Sequence, residues 1–259
     1  MTGTLDIRRD GAVARVFLNR PEVRNAFNDA VIAELTSSFR GLAADTSLRV
    51  IVLGGHGKAF CAGGDLNWMR AMADYSWEQN RADAQALADM LWTLYTCPLP
   101  LVGRVHGDCY AGGVGLASVC DVLVAADSMH FCLSEARLGL LPATIGPYVV
   151  RALGEQASRR YFVTAERFGA TEAHRLGFVH ELASADTIDV KVDAIVQTLL
   201  ANGPAAVKAS KQLVKDLAGQ PLSPELRADT ARRIADIRAS DEGRAGVQSF
   251  LNKRPAPWQ

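Results

Sequence analysis

Two stretches of this chain share one order of parts: a short apolar run, a glycine-rich turn and the start of a helix. Residues 50–53 lead into FCAGGD at 60–65, and residues 101–105 lead into AGGVG at 111–115. Apolar runs of this length, alternating with helical sequence, predict buried strands of a largely parallel sheet joined by crossovers. Neither turn matches G-x-G-x-x-G or G-x-x-x-x-G-K-S/T, so a dinucleotide site and a P-loop are both disfavoured.

The glycines of the two turns carry the first functional hypothesis. Glycine lets the backbone approach a ligand closely, and N–H groups at a helix start are unpaired and lie at the positive end of the helix dipole. Taken singly, each turn is better explained by glycines that relieve crowding at a strand–helix junction. Facing one another, the two turns would form an oxyanion hole, in which one N–H donor typically contributes about 3 to 4 kcal/mol to the transition state.

The rest of the sequence predicts a two-part α/β chain. We expect a hairpin around Asp10-Gly11, a helix at 29–42, helical sequence at 66–95 with a break near 75–76, and strands at 122–125 and 129–133. From Pro142 onward the pattern is nearly all helical. We divide the chain into a core at 1–199 and a helical region at 200–259. The second is too small to fold alone, so its apolar stripe must pack on the core or on a neighbouring subunit.

Charge and composition argue against several classes of protein. The 28 basic and 28 acidic side chains cancel, which disfavours nucleic acid or an anionic membrane surface as the main partner. Five cysteines without C-x-x-C spacing predict reduced thiols rather than disulfides or a zinc site. The five histidines show no metal spacing, the first residues contain no apolar run of signal-peptide type, and no stretch of eighteen apolar residues occurs. We expect a soluble cytoplasmic protein without a metal.

Several segments, in order and with suitable spacing, resemble one family over nearly the whole chain. They are LNRPEVRNAFN, GKAFCAGGDLNWM, HGDCYAGGVGLASVCDVLVAAD, FCLSEARLGLLPATIGPYVVRALG, AERFGATEAHRLGFV and SFLNKRP. The chain resembles the enoyl-CoA hydratase/isomerase (crotonase) superfamily, and within it the bacterial methylglutaconyl-CoA hydratases. The resemblance implies a crotonase-like spiral of ββα units with a C-terminal helical region, an acyl-CoA substrate, and assembly as a homotrimer or a dimer of trimers.

The resemblance also assigns roles to positions. It places the oxyanion-hole amides at Gly64 and Gly112 and the catalytic acid–base at Glu135. The other assigned positions would contact the substrate: Ala62, Asp65 and Leu66 at the adenine end of CoA, Arg24 and Ala26 at its phosphates and pantetheine, Lys253 at CoA bound to a neighbouring subunit, and Trp68 at the acyl group. Because coenzyme A is part of the substrate, no separate cofactor is implied.

One departure from the family pattern leaves the reaction open. Family hydratases commonly use two glutamates; Glu135 matches one, and Gly115 occupies the position of the other. A single carboxyl can take a proton from water and return a proton to Cα, which suffices for hydration. The same carboxyl can shift a double bond, as in a Δ3,Δ2-enoyl-CoA isomerase. The wider likeness favours the hydratase, and an acyl-CoA-binding protein without catalysis is the third reading.

Three further charged residues have two interpretations each. Asp108 could supply a second carboxyl near the pocket, although a surface or capping role is the simpler explanation. Arg137 and Arg70 are candidates to pair with a carboxylate on the substrate, but most such arginines are surface residues. Cys61 lies beside the first glycine turn, and we interpret it as small apolar filler rather than a nucleophile.

Overall fold

A computed structural model describes residues 3–259. These residues form ten strands, numbered β1 to β10 in chain order: Leu5–Asp10, Val13–Leu18, Val50–Gly55, Ala59–Cys61, Leu101–Val105, Asp108–Tyr110, Val122–Ala126, His130–Cys132, Arg167–Gly169 and Glu181–Ala183. They also form eleven α-helices, α1 to α11: Asp29–Ala44, Leu66–Ala73, Trp77–Thr96, Gly112–Ser118, Gly146–Leu153, Glu155–Thr164, Ala170–Arg175, Ile188–Leu200, Pro204–Leu217, Pro224–Ala239 and Asp241–Leu251.

The strands are divided between two sheets. The larger sheet has the order β1-β2-β3-β5-β7-β10, in which only the β1–β2 hairpin is antiparallel. The smaller sheet has the order β4-β6-β8-β9, in which β9 is antiparallel to β8 and the other pairs are parallel. Three consecutive strand pairs, β3–β4, β5–β6 and β7–β8, each send one strand to the larger sheet and the next to the smaller. Each pair is followed by a helix, which is the expected spiral of ββα units.

The predicted elements of the larger sheet and its helices are confirmed. Every residue of β3 is buried, as expected for a parallel strand covered on both faces. Helix α1 begins after Asn28, whose side chain accepts the Val31 N–H, and it buries one apolar face. The members of that face are Val31, Ile32, Leu35, Phe39 and Leu42. Full burial of one such side chain contributes about 1.5 to 3 kcal/mol.

The prediction of nearly all-helical sequence after Pro142 is wrong in two places. Strand β9 pairs with β8, and strand β10 pairs with β7 at the edge of the larger sheet. Strands β4 and β6 likewise lie in stretches that we interpreted as loops. Each of these four strands has three residues, which is too short for an alternation of period two to be recognised.

The chain separates into two compact units, one ending at Asp193 and the other formed by Ala194–Gln259. The second unit contains α9, α10 and α11. Ser223 caps α10 and Pro224 is its first residue, a position that proline favours. Large apolar side chains of this unit are exposed, Leu222 by 97% and Phe250 by 82%. Within residues 3–259, none of the helices is long and apolar enough to cross a bilayer.

Candidate active site

Three functional segments follow three neighbouring parallel strands of the smaller sheet. The first glycine turn, residues 62–65, follows β4; the second, residues 111–113, follows β6; and Glu135 lies just beyond β8. The carboxyl ends of parallel strands meet at one edge of a sheet, so the three segments converge there. The Ala111 N–H donates to the Cys132 carbonyl oxygen at 2.8 Å, which ties the second turn to the end of β8.

The two glycine turns touch each other. A Cβ placed on Gly63, where φ is +91°, would lie 3.0 Å from the Ala111 Cβ. A Cβ placed on Gly113 would lie 2.7 Å from the Cys61 carbonyl oxygen. These distances leave no room for a side chain on either glycine, so the contact between the turns requires both. The packing role and the proposed ligand-binding role of these glycines are therefore compatible.

The amide of Gly64 has no acceptor within the described chain. Phe27 forms an isolated parallel bridge to Gly64, in which the Phe27 N–H donates to the Gly63 carbonyl and the Asp65 N–H donates to the Phe27 carbonyl, both at 2.7 Å. In this pattern the flanking residues make both bonds, and the N–H of the central residue points away from its partner. The bridge thus leaves the Gly64 N–H available.

The amide of Gly112 is free for a different reason. Gly112 is the first residue of α4, and the first N–H groups of a helix have no partner inside it. Among residues 3–259 no other acceptor takes the Gly112 N–H. A Cβ on Gly112 would lie 2.8 Å from Phe27 Cε2, so the Phe27 ring packs against the second turn while its backbone holds the first. Sequence analysis missed Phe27, which gives no local signal.

Glu135 is the titratable group of this edge. It begins a short 3₁₀ turn, Glu135–Leu138, and its side chain is half-buried. Its Oε2 is buried and has no hydrogen-bond partner in the described chain. Burial raises the pKa of the carboxyl above its ordinary value of 4.5 because desolvation penalises the ionised form. A buried carboxyl with a raised pKa holds a proton more readily than an exposed one, which suits a group that transfers protons.

The loop before α1 is held in place by Asn25, another residue that sequence analysis missed. Asn25 is 1% exposed and adopts a φ of +56°. Its amide nitrogen donates to the carbonyl oxygens of His56 and Ala59 at 2.8 and 2.9 Å, and its oxygen accepts the Arg20 N–H at 2.9 Å. These bonds tie the loop to the β3–β4 connection. The Ala62 N–H in turn donates to the Arg24 carbonyl at 3.0 Å.

Asp65 is engaged inside the protein. Its carboxylate caps α2 by accepting the N–H groups of Asn67 at 2.8 Å and Trp68 at 3.4 Å, and it forms a 2.8 Å ion pair with Arg20. Burial pushes the pKa of Asp65 upward, but the ion pair and the two amides outweigh burial and lower it. The structure therefore gives this side chain a role in holding the first turn. Arg20 also donates to the Ala26 carbonyl at 2.7 Å.

A cavity of about 250 Å³ lies beside the first turn. Two of the predicted CoA contacts, Arg24 and Ala62, line it together with Lys58, Ala59, Asp108 and Tyr110. Lys58 was missed, although its place just before the first turn is a usable signal. Asp108 accepts hydrogen bonds from the Tyr110 hydroxyl at 3.0 Å and from Arg167 at 3.3 Å. Asp108 thus lies near the candidate pocket, where two other side chains already hold its carboxylate.

Of the other predicted positions, Trp68 lies against the first turn: a Cβ placed on Gly64 would lie 3.7 Å from Trp68 Cε3. Leu66 is 70% exposed at the start of α2, and the half-buried Trp68 donates its indole N–H to Asp83 at 3.0 Å. Lys253 is exposed in the second unit. Arg137 donates to the Ala165 carbonyl at 2.6 Å, and Arg70 donates to Asn67 Oδ1 at 2.7 Å. Both arginines are thus used in local bonds.

Cys61 is not suited to act as a nucleophile. Its thiol is fully buried, and burial raises its pKa to about 12. The reactive thiolate is therefore scarce at neutral pH, which agrees with its interpretation as apolar filler. All five cysteines are free thiols. Across residues 3–259 there is no cluster of three histidine, cysteine or acidic side chains that could hold a metal ion.

Comparison with known proteins agrees with this geometry. The family model described as enoyl-CoA hydratase/isomerase matches residues 8–259. The chain is 30% identical to a 2,3-dehydroadipyl-CoA hydratase of Escherichia coli, over 96% of this chain and 96% of the relative. An enoyl-CoA hydratase crystal structure from Shewanella pealeana superposes with a TM-score of 0.95 at 37% identity, covering 98% of this chain and 96% of that one. One from Mycobacterium smegmatis gives a TM-score of 0.94 at 33% identity, covering 99% of both chains.

These matches span nearly the entire chain and confirm the predicted fold class. The finer likeness to methylglutaconyl-CoA hydratases stays a prediction. The chain is an enzyme that belongs to the enoyl-CoA hydratase/isomerase family, the crotonase superfamily.

Proposed function

We propose that this enzyme adds water across the double bond of an α,β-unsaturated enoyl-CoA, with Gly64 and Gly112 as oxyanion-hole donors and Glu135 as the proton-transfer group. The observation that carries the proposal is the convergence of three segments at one sheet edge. Two of them present N–H groups without acceptors in the described chain, and the third presents a carboxylate oxygen without a partner. Such unpaired groups are costly to fold, and a bound thioester would satisfy the two amides.

The two amides would stabilise the negative charge that develops on the thioester oxygen. When water attacks Cβ, the π electrons of the double bond shift and the thioester becomes an enolate. The N–H groups of Gly64 and Gly112 are fixed by β-bridge and helix geometry before the substrate arrives, so no reorganisation is needed. Each donor of this kind is worth about 3 to 4 kcal/mol in the transition state.

Glu135 would carry out both proton transfers of the reaction. As the carboxylate, it takes one proton from the water whose oxygen bonds to Cβ. As the acid, it returns a proton to Cα when the enolate collapses, and it is left ionised for the next turnover. The sum is addition of one water molecule, with no other acid or base required. The pKa of Glu135, raised by burial, suits this double role because the carboxyl accepts a proton more readily than an exposed glutamate does.

The cationic wall of the 250 Å³ cavity supports binding of the CoA moiety. Arg24 and Lys58 line it beside Ala62, next to the turn that would hold the thioester. Guanidinium and ammonium groups are the usual partners of phosphate oxygens. We assign these two side chains to the phosphates of CoA. Ala62 and Ala26 would make close contacts with the rest of the CoA molecule. Lys253 remains the proposed contact to CoA of a neighbouring subunit.

Because Glu135 is the single carboxylate at the two family positions, isomerisation of the double bond is the alternative function. In that reaction Glu135 would remove a proton from Cα of a 3-enoyl-CoA and return it to C4, while the same oxyanion hole holds the dienolate. Gly115 supplies no second carboxyl for hydration, which is the observation that favours this alternative. The relative named 2,3-dehydroadipyl-CoA hydratase supports hydration as the first choice.

The acyl group of the substrate and the oligomeric state are proposed from fewer observations. Segments such as DLNWM and SEARLGLLPATIGPYVVRALG favour 3-methylglutaconyl-CoA, an intermediate of leucine breakdown, as the acyl group. A homotrimer, or a dimer of trimers, would cover exposed apolar side chains of the second unit such as Leu222 and Phe250. Exposed apolar surface of this kind is typical of subunit interfaces.

The test is turnover with a panel of 2-enoyl-CoAs, including 3-methylglutaconyl-CoA, followed as loss of the conjugated thioester absorbance. Hydration of at least one member is expected. Conversion of a 3-enoyl-CoA to its conjugated isomer faster than any hydration would establish the isomerase instead. Tight binding of CoA esters without any reaction would support the non-catalytic reading.

Replacement of the proposed acid–base separates catalysis from binding. Glu135→Gln keeps the size of the side chain but cannot exchange a proton, so we expect kcat to fall at least a thousandfold with little change in substrate affinity. Glu155→Gln is the matched control, since Glu155 is an exposed glutamate that also begins a helix. A Glu135→Gln enzyme with near-normal kcat would assign the chemistry to another group.

A further inference from the structure

The space beside Gly115 is filled by another part of the chain. Gly115 lies three residues after Gly112 on α4, and positions three apart share one face of a helix. A Cβ on Gly115 would lie 2.4 Å from Cγ2 and 2.9 Å from Cβ of Ile145, and 3.6 Å from Cδ2 of Leu91. The first two distances are shorter than atoms tolerate. The side chain of Ile145 therefore occupies the space beside Gly115, one helical turn after the proposed oxyanion donor Gly112.

Ile145 cannot easily withdraw from this position. It is 2% exposed, and it caps α5, where its carbonyl accepts the N–H groups of Tyr148 and Val149, each at 3.0 Å. A β-branched side chain has few rotamers, and a buried one has no free space to turn into. Behind it, Leu91 of α3 is fully buried. A side chain added at position 115 must displace Ile145 together with the start of α5.

The family resemblance would place a second glutamate at position 115. The residue there is glycine, and Ile145 leaves no space for a larger side chain. We propose that Ile145 closes the space beside Gly115, so that position 115 cannot carry a carboxylate and Glu135 alone, of the two family glutamate positions, transfers protons. This inference rests on the proposed function and deepens it.

The test introduces the missing carboxylate with and without its obstacle. Gly115→Glu alone is expected to lower Tm and to reduce hydration at least tenfold, because the new side chain meets Ile145. Adding Ile145→Gly removes both close atoms and leaves Leu91 Cδ2, at 3.6 Å, as the nearest contact. Glycine is tolerated at a helix N-cap. The double variant is expected to regain at least half of the lost Tm and at least tenfold in hydration rate over Gly115→Glu.

A matched second variant and a second readout make the test specific. Ile145→Val retains Cβ and Cγ2, so Gly115→Glu/Ile145→Val is expected to stay as impaired as Gly115→Glu alone. In the rescued enzyme the new carboxylate can carry protons, so adding Glu135→Gln should cost at least tenfold less than it costs in the native enzyme. If Gly115→Glu does not fold, Gly115→Ala with the same two partners gives the Tm comparison.

Three outcomes would overturn the inference. Rescue by Ile145→Val equal to that by Ile145→Gly, or no rescue by either, would show that Ile145 does not block position 115. An unchanged cost of Glu135→Gln in a rescued, folded enzyme would show that excluding the second carboxylate has no chemical consequence. Failure of the native enzyme to hydrate any enoyl-CoA would instead overturn the proposed function, and with it the role assigned to Ile145.

Discussion

The two glycine turns of the site are fixed by different forces. The first turn, at 62–65, is held by a buried ion pair and by a carboxylate that caps the next helix, both from Asp65. The second, at 111–113, has no side-chain cap and depends on close contact between small residues. The first turn should therefore respond to changes of charge, and the second to changes of volume. The same chemical task, presenting one N–H group, is supported in two ways.

The largest expected effect is loss of the charge that holds the first turn. Asp65→Ala leaves Arg20 without its partner at a largely buried site and uncaps α2, so we expect a loss of about 3 to 5 kcal/mol in the free energy of unfolding. Denaturant titration measures it. Asp65→Asn retains an oxygen for the cap and should cost less. An Asp65→Ala enzyme as stable as the native enzyme would remove the contrast between the turns.

An added methyl group tests the second turn. Gly113→Ala would place a Cβ 2.7 Å from the Cys61 carbonyl oxygen, a backbone atom that cannot turn aside. We expect a loss of about 1 to 3 kcal/mol in stability and a clear fall in kcat, because the two proposed donors move relative to one another. Gly41→Ala in α1 is the control: a Cβ there meets nothing within 4 Å, so stability should be unchanged or slightly raised. Equal effects at both positions would contradict the packing argument.

The smallest effect is a difference in how acid acts on the two sides of the site. The pKa of Asp65 is lowered in the folded protein, so its contribution to stability is present above pH 3.8 and is lost as the pH falls further. The pKa of Glu135 is raised, so its ionised form costs stability, and that cost disappears as the pH falls through the folded value towards 4.5. Glu135→Gln should thus raise Tm at pH 8 and lose that advantage near pH 4.5. A constant Tm difference across this range would contradict the assigned burial.

Long elements were predictable from the sequence, and most short ones were not. The apolar run that became β3 and the periodic face of α1 give clear local signals. Of the three-residue strands of the smaller sheet, β8 was predicted, whereas β4, β6 and β9 were not, although β4 and β6 lead into the two glycine turns. Gly64, Gly112 and Glu135 could be proposed because they lie in recognisable motifs, and their roles stay predictions. Phe27 and Ile145 could not be proposed, since each matters only through contact with a residue distant in sequence.

Asn25 has a consequence for the cost of binding. Its three hydrogen bonds, with Arg20, His56 and Ala59, fix the loop that carries Arg24 against the β3–β4 connection. A flexible segment that must become ordered around a ligand loses conformational entropy and so weakens affinity. In this protein the conformational entropy of the loop is lost when the chain folds. A CoA thioester would then meet binding groups that are already in place. We therefore expect the ligand to bind without rearrangement of this loop.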